Sequence, residues 1–332
     1  FMPFYAKQRL RRISLTAPAE QIKLRMAVLR VPTTGYGEAM SDVSKRIEEA
    51  TGGDVTVEIF DSLIPGDQLA AAVRDGRIDM IGGVHPYLSA EEPRFGIGHL
   101  PGLIRNAVEY KFVLDAYMQD LITEAWNDRY NATALAHGLW YESPHFSNKP
   151  LNELSDFEGM KIRSHNAEAA QVLTAIGAKP VRIAFSEAGP ALQRGVIDGV
   201  STEYGTALLV GLSDVTKYMQ NWDFSVNLGW TVVISNDVWA KIPDNYKQQI
   251  REAMVQMQED HFTNYYANNL KKRQELIDKG IEYIEISEAK NKAVFVDDIT
   301  QGVYDDWYKR SEGVGFDGKA IIERIRVILG RQ

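Results

Sequence analysis

One eight-residue pattern occurs twice in this chain, as Ala72-Val73-Arg74-Asp75-Gly76-Arg77-Ile78-Asp79 and again as Ala191-Leu192-Gln193-Arg194-Gly195-Val196-Ile197-Asp198. Each copy reads as the end of a helix, a glycine that caps it, and an Ile-Asp step into a strand. Glycine suits the left-handed conformation by which a chain leaves a helix, and the apolar residue after it begins a buried strand. A joint of this kind built twice restricts the choice of fold. The simplest architecture that uses it is a pair of related α/β lobes with a cleft between them.

The sequence around each copy fits that scheme. Leu24 to Leu29 reads as a strand, Thr33 to Gly37 as a loop, Ala39 to Thr51 as a helix ended by Gly52-Gly53, and Asp54 to Phe60 as a second strand. Gly66 to Asp75 is a helix and Ile78 to Gly82 a strand. The order β-α-β-α-β is that of a parallel sheet with covering helices. A helical stretch from Ala107 to Trp126 and a strand from Thr133 to Leu139 follow, and Ser143 to Pro150 has the content of a crossover. Beyond it, strands at Met160–Arg163, Pro180–Ile183 and Val196–Ser201 alternate with helices at Ala167–Ile176 and Ser186–Arg194, with Ser186 as the N-cap. A strand at Trp230–Ser235, a long helix over about 244–279, a strand at Ile281–Ile286 and a helical tail to Leu329 complete the chain. The return implies interrupted domains, with lobe I over 21–143 plus about 230–260 and lobe II over 144–229 plus about 261–332.

Composition narrows the function. The 332 residues are about two domains' worth. With 37 basic and 45 acidic residues the net charge is −8, which argues against nucleic acid or an anionic membrane surface as the main partner. The absence of cysteine excludes disulfides, thiolate metal sites and a cysteine nucleophile. No apolar run approaches the roughly 18 residues of a membrane span, so the expectation is a soluble chain. Residues 1–20 carry Lys7, Arg9, Arg11 and Arg12 and the small-x-small form Ala17-Pro18-Ala19 of a signal-peptide cleavage site, without the apolar segment that should lie between. They read as an N-terminal extension or remnant outside the core fold.

Two stretches carry a resemblance. Leu154-Ser155-Asp156-Phe157-Glu158-Gly159-Met160-Lys161-Ile162-Arg163 is one, and Phe185-Ser186-Glu187 followed by Ala191 to Gly199 is the other. Together they are similar to the solute-binding proteins of TRAP (tripartite ATP-independent periplasmic) transporters, and the likeness runs from about Ile22 to Leu329, with Gly189 where that family has an aromatic residue. The resemblance implies a two-lobe, type II-like periplasmic-binding-protein fold of the α/β class, with a central cleft, hinge strands and a long helix spanning both lobes. It also implies a periplasmic monomer that captures a small organic carboxylate and delivers it to membrane permease subunits. No catalysis, cofactor or metal is implied.

Arg163 matches the family arginine that holds the ligand carboxylate, and a guanidinium fork can meet both carboxylate oxygens. Pro144 stands where the family often has a second arginine, which speaks against dicarboxylates and sialic acid. Thr202 occupies a position that is usually Asn, and Glu203 follows it. Glu203 is open to three readings: a partner for a cationic ligand group, a metal ligand, or a neutralising partner for Arg163. Aromatic and imidazole residues at strand ends, namely Tyr36, His85, Tyr87, Trp140, Tyr204, Trp222 and Phe224, are expected to wall the cleft and to favour a ligand with an apolar or aromatic body. The nucleotide-binding, zinc-protease and serine-hydrolase signatures are absent. A two-lobe enzyme acting on a carboxylate, with Glu203 as base, and a ligand-sensing lobe for signalling are the alternatives.

Overall fold

The computed structural model describes residues 21–331 apart from 223, 225–227, 295 and 296, so the expected extension at 1–20 lies outside the described residues. Eleven strands are described: β1 (Ile22–Ala27), β2 (Val55–Phe60), β3 (Met80–Val84), β4 (Ala132–Leu139), β5 (His145–Ser147), β6 (Lys161–Arg163), β7 (Lys179–Val181), β8 (Gly199–Ser201), β9 (Tyr218–Gln220), β10 (Gly229–Ser235) and β11 (Glu282–Ile284). They form two sheets, ordered β2-β1-β3-β10-β4 and β11-β9-β5-β8-β6-β7. In the first, β1 runs parallel to β2 and β3, and β10 is antiparallel to β3. In the second, β6 runs parallel to β7 and β8, and β5 is antiparallel to β8. The triplet β2-β1-β3 of one lobe is thus matched by β7-β6-β8 of the other.

The repeated octapeptide makes the same bonds twice. Gly76 and Gly195 have φ of 69° and 67°. Arg77 N donates to Ala72 O at 2.9 Å, and Val196 N to Ala191 O at 2.9 Å. The closing aspartates also agree, since Asp79 Oδ2 accepts from Arg25 N and Asp198 Oδ2 from Lys161 N, each at 2.8 Å. Each repeat therefore ends its helix through the left-handed glycine and then fastens the adjacent strand through the aspartate.

Two expectations need correction. The stretch Ser143 to Pro150 is not only a crossover, because it contributes β5 to the interior of the second sheet. Ser186 is not an N-cap; it sits inside a 3₁₀ turn, Phe185–Glu187, and caps neither that turn nor the helix Ala188–Gln193.

The long helix Asp244–Asp278 joins the lobes by packing on the helix Gly35–Ala50 and β4 of the first and on the helix Tyr204–Leu209 of the second. β4 is an edge strand, whose free backbone groups require partners. Polar side chains on one face of the helix supply them along the segment leading out of β4. Gln258 Oε1 accepts from His137 N (2.8 Å), His261 Nε2 from Leu139 N (3.1 Å) and Asn269 Oδ1 from Glu142 N (3.1 Å), while Tyr265 OH donates to Trp140 O (3.1 Å). The helical spacing of 258, 261, 265 and 269 keeps these groups on one stripe. The lobes also touch directly, where Thr33 Oγ1 donates to Gly205 O at 2.7 Å. A Cβ at residue 205 would stand 2.1 Å from Thr33 O, so only glycine allows that approach. Among the described residues no helix is long and apolar enough to cross a membrane.

Candidate functional site

The carboxyl ends of the parallel strands face each other across the cleft, where open α/β sheets place ligands. An inner chamber of about 50 Å³ lies there, and an outer space of about 490 Å³ shares Leu29, Tyr87, Arg163, His165 and Phe185 with it. Apolar walls come from Leu29, Val31 and Val84 of the first lobe together with Leu228 and Phe185.

Arg163 ends β6 and is 4 % exposed. Its Nη1 donates to Ser201 O at 3.0 Å and its Nε lies 3.4 Å from Ile183 O. No carboxylate pairs with it among the described residues. Burial lowers the guanidinium's pKa, with the nearby Tyr87 acting in the opposite direction, but an arginine remains charged. A buried cation without a counterion is costly, and this one lines a cavity.

Glu203 also lines the chamber and is 3 % exposed. It does not neutralise Arg163. It is the N-cap of the helix Tyr204–Leu209, accepting from Gly205 N at 3.1 Å, Thr206 N at 2.6 Å and Thr206 Oγ1 at 2.8 Å. Burial pushes its pKa up to about 7, against the pull of those hydrogen bonds. Among the described residues no three His, Asp or Glu side chains come together as a metal site.

Of the remaining expected residues, Thr202, Trp140 and Tyr87 line the chamber. The Trp140 ring stacks on Tyr36 at 4.7 Å and 6°, which fixes its orientation. Five others stand elsewhere, because their rings turn into the protein interior and not into the cleft. Tyr36 lies beneath Trp140 and donates to Gly82 O at 2.8 Å. His85 is paired with Thr231 Oγ1 at 2.7 Å and packed on Phe95. Tyr204 fills the core of the second lobe. Trp222 donates to Leu151 O and packs, with Phe224, around Phe157. Sequence reasoning missed Ser143, His165, Phe185 and Thr206 as lining residues. His165 was within reach, since it follows Arg163 by two positions on leaving the same strand end.

A model of the bacterial extracellular solute-binding protein family 7 matches residues 28–311. The chain belongs to this family. The TRAP-type resemblance and the two-lobe α/β expectation are thereby borne out. Among family 7 relatives, the C4-dicarboxylate-binding periplasmic protein DctP of Rhodobacter capsulatus is 24 % identical over 274 residues, covering 79 % of this chain and 78 % of its own. Two solved structures share the fold. The Bordetella pertussis extracytoplasmic solute receptor DctP7, which binds pyroglutamic acid, has a TM-score of 0.83 at 18 % identity, covering 92 % of this chain and 99 % of its own. A Haemophilus influenzae TRAP solute-binding protein with bound L-gulonate has a TM-score of 0.81 at 24 % identity, covering 93 % and 100 %. Members of family 7 are solute-binding proteins.

Proposed function

We propose that the protein is a periplasmic receptor that holds the carboxylate of a small organic monocarboxylate on Arg163 and delivers it to the membrane subunits of a TRAP-type transporter. The observation that carries this reading is a buried guanidinium with no ion pair among the described residues, on the wall of an interlobe chamber, in a member of family 7. A ligand carboxylate is the counterion such a group requires. Pro144 and the apolar walls at Leu29, Val84 and Leu228 favour an apolar ligand body over a second carboxylate. The enzyme reading is weaker, because Glu203, its candidate base, is engaged as a helix cap.

Closure requires lobe boundaries. The chain passes between the sheets from β4 to β5, from β9 to β10 and, through the helix Asp244–Asp278, from β10 to β11, which supports interrupted lobes with boundaries near 143–144 and just before Gly229.

Native mass spectrometry of the protein mixed with a carboxylate panel, followed by calorimetry, tests the function. Arg163→Met should weaken binding of the retained carboxylate by at least roughly tenfold, about 1.4 kcal/mol. It should leave Tm unchanged or higher, because it removes a desolvated charge. Unchanged affinity in the folded variant would overturn the reading. Tighter binding of succinate or malate than of every branched or aromatic monocarboxylate would refute the ligand class.

A further inference from the structure

Three buried polar atoms on side chains lining the inner chamber have no hydrogen-bond partner among the described residues: Trp140 Nε1, Ser143 Oγ and His165 Nε2. Leaving such an atom dry forfeits the hydrogen bonds it makes in water. A wall that carries three of them beside a buried guanidinium suits a ligand with polar groups in addition to its carboxylate.

Their chemistry differs in sign. Trp140 Nε1 can only donate, and it adds to the donors of Arg163. Ser143 Oγ can donate or accept. His165 is decided by its other nitrogen, because Nδ1 stands 3.4 Å from Ser201 O, a carbonyl that can only accept. Nδ1 therefore carries the proton. Burial, reinforced by the charge of Arg163, pushes the His165 pKa down to about 3, so the ring is neutral at physiological pH and Nε2 presents a lone pair. The same carbonyl accepts from Arg163 Nη1 at 3.0 Å. One strand-end oxygen of β8 thus orients an acceptor and a cation on two side chains that line one chamber. Glu203 does not duplicate the acceptor, since its oxygens face Gly205 and Thr206.

We propose that His165 Nε2 is a specificity-determining acceptor, and that the preferred ligand carries a hydroxyl or amide N–H on the carbon that bears the carboxylate. The chamber then selects 2-hydroxy acids and lactam acids over 2-oxo acids of the same shape. A 2-oxo group offers only lone pairs, which oppose the lone pair of Nε2 and leave it unsatisfied. This proposal rests on Arg163 as the carboxylate anchor.

Calorimetry of the whole protein against matched pairs tests it. One pair is 4-methyl-2-hydroxypentanoate and 4-methyl-2-oxopentanoate; the other is pyroglutamate and its ring-oxygen analogue 5-oxotetrahydrofuran-2-carboxylate. The donor-bearing member of at least one pair should bind at least roughly tenfold more tightly, about 1.4 kcal/mol. In His165→Phe, or in His165→Leu should the first variant fold poorly, that ratio should fall to within about twofold. Equal binding of both members to the unaltered protein overturns the proposal, as does a preference that survives in a folded variant or failure of all four compounds to bind at millimolar concentration. Failure of the anchor is recognised separately, by Arg163→Met retaining affinity for both members of a pair.

Discussion

Glu168 is the buried charge whose contribution can be worked out most directly. It lies in the first turn of the helix Ala167–Ala175 and has no solvent exposure. Groups from two other segments hold it. Ser89 Oγ donates to Oε2 at 3.0 Å and Arg310 Nη2 to Oε1 at 2.9 Å. His99 Nδ1 stands 3.5 Å from Oε2, an ion-pair distance without hydrogen-bond geometry. Gly96 backs onto the group so closely that a Cβ there would stand 2.9 Å from Oε1. Burial alone would raise the pKa of this carboxyl, but His99 and Arg310 outweigh it and bring the value from 4.5 to about 2. At 1.36 kcal/mol per pH unit, that gap amounts to about 3 kcal/mol. A carboxylate whose pKa falls on folding stabilises the protein above its unfolded value and loses that contribution as pH drops toward the folded value. The stabilisation is therefore full well above pH 4.5, about 1.4 kcal/mol at pH 3, and nearly gone below pH 2. Glu168→Gln preserves the shape and removes the charge. It should cost about 3 kcal/mol at pH 7, roughly 4 °C in Tm at about 2.1 cal/mol/K per residue. Urea unfolding of both proteins at pH 7, 5, 4 and 3 reads the gap directly. A gap that stays constant from pH 7 to pH 3, or no gap at pH 7, would refute the reasoning.

Two further outcomes follow from the repeat and the cleft. Gly76→Ala and Gly195→Ala add a Cβ that meets nothing within 4 Å, so each should cost only the left-handed strain, about 1 kcal/mol, in urea unfolding. Costs that differ by more than about 1 kcal/mol would show that the two joints are not equivalent. Small-angle scattering should give a smaller radius of gyration when a carboxylate from the panel saturates the protein, since the cleft walls belong to both lobes. Superimposable curves would favour a preformed closed chamber.

What was legible in the sequence is what short-range chemistry decides. The glycine of each repeat leaves its helix by bonds that span no more than five residues, so the joint at Gly76 and the joint at Gly195 could be read without knowledge of the partner strands. The long polar helix was legible for a similar reason: its expected span of about 244–279 differs by one residue from the observed Asp244–Asp278. Arg163 could be placed because the stretch Leu154–Arg163 resembles the family's and because the carboxyl end of a parallel strand faces the cleft.

Tertiary structure decided the rest, because the deciding partners are remote in the chain. β5, β6, β7, β8, β9 and β11 are three residues each, too short to carry an alternation, and β5 exists because β8 and β9 pair with it on both sides. The direction in which a ring points is not written in its position at a strand end. Trp140 reaches the chamber because Tyr36 supports it from below, and Tyr36 is buried for the same reason. Glu203 could be read as a counterion for Arg163 until the turn of the chain set its carboxylate against Gly205 and Thr206. The lone pair of His165 depends on a carbonyl at Ser201, 36 positions away. Local sequence determined which elements form and where they stop; only packing, which brings distant groups to hydrogen-bond distance, determined which side chains line the chamber and which polar partners they meet.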